Sequence, residues 1–129
     1  MIKIPRHITR TFIQKHPELT FIYSQDVARK GAFGQAAHCV SEPNCYPVST
    51  CWKMCRSSAY FQDSQACEIL RQLTLDLKNV PRDKPIILFP KIGEGFSRMK
   101  EFAPNMYQWL MNQLDTIKSK DYEFDYSSQ

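Results

Sequence analysis

The chain has 129 residues, 43% of them hydrophobic and 23% charged, with a net charge of +4 and an isoelectric point of about 8.8. That length fits one domain able to bury a core without staples, and that composition is that of an ordinary globular chain and not a disordered one. The mild positive balance suits an anionic ligand and argues against a dedicated nucleic-acid protein.

The opening MIKIPRHITR lacks the apolar core of a signal peptide, and no apolar run approaches bilayer-spanning length. The expectation is a cytoplasmic protein without a membrane partner. HITRTFI, residues 7–13, is β-branched and reads as a strand, with Lys15 to Pro17 as the turn after it. In ELTFIYSQD, Phe21, Ile22 and Tyr23 form an unbroken apolar run, as in a strand buried on both faces. A glycine segment, SQDVARKGAFGQAAH at 24–38, follows and opens a short helix. CYPVST is a further strand, and Pro47 pushes it towards an edge or a bulge.

Ala66, Ile69, Leu70, Leu73 and Leu77 recur at three- and four-residue spacing and predict a helix over 64–79, capped by Asp63 or Ser64. The loop VPRDKP leads to the strand IILFP and then to a second glycine segment, PKIGEGFSRMKEFAP at 90–104. A last helix starts near Pro104 and puts Met106, Trp109, Leu110, Leu114 and Ile117 on one face. Residues 121–129 read as a partly frayed tail, leaving 1–120 as the domain.

Five cysteines, Cys39, Cys45, Cys51, Cys55 and Cys67, contain no C-x-x-C pair. They read as free, packed thiols, and neither a metal nor a cofactor is expected.

Alternating strands and helices make an α/β domain, in which ligands sit beyond the carboxyl ends of the strands. Both glycine segments fall there. Glycine permits positive φ and close approach of a phosphate to backbone N–H groups. Neither segment is a Walker A or G-x-G-x-x-G motif, and taken singly each reads equally as a turn. GAFG also fits the G-x-x-G loop of KH domains, but the preceding YSQDVARK lacks the helix that loop needs. Lys30, Lys91, Arg98 and Lys100 flank the two segments and would gather round one pocket if the loops meet.

As a set, FIYSQD, GAFGQAAH, Glu42-Pro43-Asn44, Ser49-Thr50 with Lys53, and IILFPKIGEGFSRM resemble a compact macrodomain-like family of short phage and bacterial proteins. The resemblance covers about residues 19 to 117. It implies a single three-layer-like domain with a macrodomain-like mixed sheet flanked by helices, binding ADP-ribose or a related signalling nucleotide. It implies that Asp26 meets the adenine, that Gly31, Gly34 and Gln35 meet a phosphate or ribose, and that Gly93, Glu94, Gly95 and Phe96 wrap the second phosphate. Asn44 would fix a ribose hydroxyl. The chain departs from the family at Gln25, which replaces a glycine, at Phe33-Gly34, which replaces a doubled glycine, and in lacking an asparagine-rich run before the first loop. Binding therefore carries over further than catalysis.

Hydrolysis of a ribosyl bond needs a placed acid or base, for which Glu42 and Asp63 are the candidates, with Asp26 and His38 behind them. Three functions follow: a binder of ADP-ribose-type nucleotides, a hydrolase acting on their ribosyl or phosphate linkages, and, ranked last, a single-strand nucleic-acid binder.

Overall fold

The computed structural model describes residues 1–29, 34–53 and 59–125. The α/β domain expected from the alternation is the one observed, but its strands form two small sheets, and every described ladder is parallel. One isolated antiparallel bridge, Cys51 to Tyr60, stands apart. The expected single mixed sheet gives way because the links between neighbouring strands are long, helix-bearing crossovers, and these return the chain in the same direction.

The larger sheet has the order β3-β2-β4, formed by Thr20–Asp26 (β2), Cys45–Cys51 (β3) and Ile86–Leu88 (β4). β2 is central, and Phe21, Ile22 and Tyr23 are buried as their unbroken run requires. β3 lies at an edge, as foreseen from Pro47; its register with β2 shifts between Gln25 and Asp26, at Thr50, while Pro47 itself pairs regularly with Tyr23. Two helices link these strands: Ala36–Cys39 (α2) leads into β3, and Ala66–Lys78 (α3) lies between β3 and β4.

The second sheet pairs Ile2–Pro5 (β1) with Tyr122–Asp125 (β5). Residues 122–125 are thus a strand, not a frayed tail. Tyr122 and Phe124 alternate with polar neighbours and register against Ile2 and Ile4, the latter fully buried.

HITRTFI is not a strand either: Arg10–Lys15 is a helix, α1. The Thr9 hydroxyl accepts the Phe12 N–H at 3.2 Å, a helix N-cap. Ile8 and Ile13, the staple positions flanking that cap, are both buried. A good cap and a helical apolar spacing outweigh β-branched composition.

α3 buries Ile69, Leu73 and Leu77 in the core. The turn Asp63–Gln65 precedes it, and its entry is fixed by a reciprocal pair, Gln62 with Gln65, rather than by Asp63 or Ser64. After β4 come a turn at Gly95–Ser97, the short helix Met99–Phe102 (α4) and the helix Pro104–Ile117 (α5), which opens on Pro104 as anticipated. Met106, Leu110 and Leu114 face the core. Among the described residues, no helix is long and apolar enough to cross a membrane.

Candidate functional site

The carboxyl ends of β2, β3 and β4 open on one cavity of about 290 Å³. Ser24 and Gln25 line it from β2, and Thr50 from β3. Gly34 and Gln35 come from the first glycine segment, and Pro90, Lys91, Glu94, Gly95 and Ser97 from the second. The two segments therefore do meet, as the position rule for α/β sheets requires.

Gln35 joins the two segments. Its Oε1 accepts the Ser24 N–H at 2.8 Å, and its Nε2 donates to the Pro90 carbonyl at 2.7 Å. One amide thus ties the end of the central strand to the loop after β4, closing the cavity floor. Beside it the Ser24 and Thr50 hydroxyls lie 2.5 Å apart. The second segment winds through left-handed backbone at Lys91 (φ 60°), Gly93 (φ 84°), Gly95 (φ 67°) and Arg98 (φ 49°). Glu94, between the two glycines, is extended, so the segment turns sharply on either side of it and exposes backbone at the cavity rim.

The two glycines of that segment differ. A Cβ on Gly93 would lie 2.7 Å from Cδ1 of Tyr107, so this glycine is demanded by packing against α5. A Cβ on Gly95 would meet no atom within 4 Å, so this glycine faces the open cavity. Both carry a φ that side chains disfavour.

A shallower hollow of about 440 Å³ adjoins the cavity and shares Glu94 and Gly95 with it. Arg98 and Lys100 bring cations to it, and Glu94 and Glu101 offset them; Lys100 Nζ is 3.8 Å from Glu94 Oε1. Arg98 also lies over the ring of Tyr60, which stacks on Phe102 with centroids 5.1 Å apart.

The structure thus brings Gly34, Gln35, Glu94 and Gly95 together at the cavity, with Gly93 in the adjoining hollow, and leaves other expected site residues elsewhere. Asp26 is buried at the end of β2 and does not line the cavity; its neighbour Gln25 does, and the extra residue at the register shift beside them, Thr50 of β3, lines it as well. Asn44 stands before β3, at the amino end of the sheet. Its Nδ2 donates to the carbonyls of Ile13 and His16 at 3.1 Å and of Leu19 at 3.3 Å, closing the exit from α1. Glu42 is at the same far end, held by Arg10 at 2.7 Å and Gln14 at 2.9 Å. Asp63 accepts the N–H groups of Asn105 and Met106 at 3.2 and 3.1 Å, so it caps α5 rather than the helix that follows it in sequence. These three side chains do structural work away from the cavity. His38 is exposed on α2. Gly31 and Lys30 lie outside the described residues, as does the side chain of Phe96, whose backbone forms part of the Gly95–Ser97 turn.

Sequence reasoning missed Asp76. Its buried carboxylate accepts the Ser49 N–H at 2.8 Å, Arg29 at 2.7 Å and Gln72 at 2.9 Å, pinning the outer edge of β3 and the start of the first glycine segment. The signal was present: Asp76 stands seven residues after Ile69 and three after Leu73, on the apolar stripe of α3.

Cys39, Cys45 and Cys51 are buried free thiols and Cys67 is exposed; Cys55 lies outside the described residues. A hydrogen bond with Cys45, together with burial, pushes the Cys39 thiol far above its usual range. Among the described residues, no group of three or more His, Cys, Asp or Glu is arranged to hold a metal ion.

In comparisons with known proteins, residues 3–113 match a family of unknown function, DUF7831, and the chain belongs to that family. No curated protein matches it, and no solved structure does.

Proposed function

We propose that this member of DUF7831 binds a phosphorylated ribonucleoside of the ADP-ribose class in the cavity between its two glycine segments. The observation that carries the reading is the convergence of both segments on one cavity at the carboxyl ends of β2 and β4, bridged by Gln35. The cavity alone, about 290 Å³, stands at the lower edge of ordinary small-molecule sites, roughly 300–1,000 Å³. With the adjoining hollow it offers separate places for two parts of an extended ligand. The Gly95 backbone, open to the cavity, and the Lys91 ammonium suit a phosphate, and the Ser24 and Thr50 hydroxyls suit a ribose.

Gly95 supplies the test. Gly95→Phe directs a ring towards the cavity from a Cβ that meets no atom within 4 Å, at the backbone cost of a positive φ. Calorimetric titration with ADP-ribose should give micromolar binding to the parent and none to the variant, while Gly95→Asn, which accepts left-handed backbone, retains most of it. Equal heats from the parent and Gly95→Phe would end the proposal.

A hydrolase reading is favoured by one observation: Glu94, half-buried at the rim, is the carboxylate among the described residues lining the cavity. It would serve as general base towards a water at the bound ribosyl or phosphate linkage. Turnover of ADP-ribose conjugates that vanishes in Glu94→Gln while binding persists would favour this reading over simple binding; release of intact ligand from the parent would remove it.

A further inference from the structure

We propose a second anion-binding subsite at the carboxyl end of the β1–β5 sheet, which receives a phosphate group of a ligand extending past Lys91. A hollow of about 360 Å³ lies there, lined by Arg6, His7, Pro90, Lys91 and Phe124. Arg6 and His7 directly follow β1, and Phe124 is held beside them because β5 registers Phe124 against Ile4 and Asp125 against Pro5. The hollow shares Pro90 and Lys91 with the main cavity, so the Pro90–Lys91 corner is a wall common to both.

Its chemistry differs from that of the Arg98 hollow. There, two glutamates stand against the two cations. Here the described lining carries Arg6, Lys91 and the His7 imidazole with no carboxylate among them, next to one aromatic ring. Asp125 ends the neighbouring strand, and Arg6 is already engaged within the fold. A guanidinium has five N–H donors, so an engaged Arg6 still presents donors to an anion. Lys91 is exposed and held at φ 60°, in the corner between the two openings. A compact, multiply charged oxyanion fits such a lining, and Phe124, whose ring already packs edge-on against Tyr122, walls one side of it.

The subsite stands on its own charge and shape. The claim that one ligand spans it and the main cavity rests on the nucleotide reading. The probe is inorganic pyrophosphate, titrated into the ¹⁵N-labelled full chain at physiological salt and followed by amide and imidazole shifts. Saturable shifts at Arg6, His7 and Lys91 are expected. Affinity should fall at least tenfold in Lys91→Asn, whose side chain tolerates left-handed backbone, and likewise in Arg6→Gln. Arg71→Gln, the same charge change on the exposed face of α3, should leave it unaltered. Dispersed spectra will show that each variant folds. Absence of saturable shifts at these residues, or equal loss in all three variants, overturns the subsite. Pyrophosphate binding here in a protein that gives no heat with ADP-ribose would sustain the subsite and sink the nucleotide reading. With both in hand, a dinucleotide bearing a 5′-phosphate should lose affinity in Arg6→Gln, whose side chain lines only the second hollow, by more than AMP does. Equal losses would remove the spanning claim.

Discussion

Gly93 and Gly95 stand two residues apart and answer to different constraints. Gly93→Ala adds a methyl that must displace the Tyr107 ring and also strains the backbone, at a combined cost of roughly 2–4 kcal/mol. Gly95→Ala meets only the backbone term, about 1–2 kcal/mol. Urea denaturation of the two variants should separate them, and Tyr107→Ala should relieve Gly93→Ala but not Gly95→Ala. Asp76 is the other residue whose removal should be costly. Asp76→Ala leaves a buried Ser49 N–H and an unmatched Arg29, a loss of about 2–4 kcal/mol by the same measurement. At Tyr23, burial comes first and the neighbouring Cys39 and Cys45 second in pushing the phenol up to about 12. The folded state therefore holds this proton more tightly than the unfolded state does. The contribution is intact below pH 10 and disappears as pH rises from 10 towards 12, a loss of about 2–3 kcal/mol. The denaturation midpoint should fall across that window, and less steeply in Tyr23→Phe.

Among the elements, those with strong periodicity were legible. Phe21 to Tyr23, the α3 stripe and Pro104 each carry their structure in a local pattern, because burial on two faces, burial on one face and a missing N–H leave distinct marks. β1 and β5 were not legible, because each is only four residues long and each is stable only against the other, 117 positions or more away in the chain. Shorter separations, of 25 to 43 residues, hid the roles of Asp63 and Asn44: both cap helices, but through partners that sequence order does not indicate. Of the site, the glycine segments were legible because positive φ selects glycine. Gln25 in place of Asp26 was not, because which of two adjacent polar residues at a strand end is buried is set by the elements packed around it and not by the local pattern. β5 also lies beyond the matched residues 3–113. Truncation after Lys118 removes the partner of β1 and the Ser119 N–H to Ile86 carbonyl bond at 2.9 Å. Hydrogen exchange should then quicken at Ile2 to Pro5 while Phe21 and Ile22 stay protected. Uniform quickening would mean that the two sheets unfold as one unit.

Over the whole molecule, two parallel sheets turn carboxyl ends towards a shared corner at Pro90 and Lys91, with a cavity on either side of it. The parallel pairing of the first and last strands has a practical consequence. Ile2 and Tyr122 register at one end of the ribbon, and Pro5 and Asp125 at the other, about 10–13 Å away by strand rise. A purification tag or fluorescent fusion placed after Asp125 therefore starts beside Arg6, His7 and Lys91, where an oligohistidine or acidic linker would compete for the basic hollow. One placed before Met1 starts at the opposite end. Every binding assay above should use the amino-terminal fusion, and a circular permutant joining the two ends needs a linker long enough to retrace the ribbon.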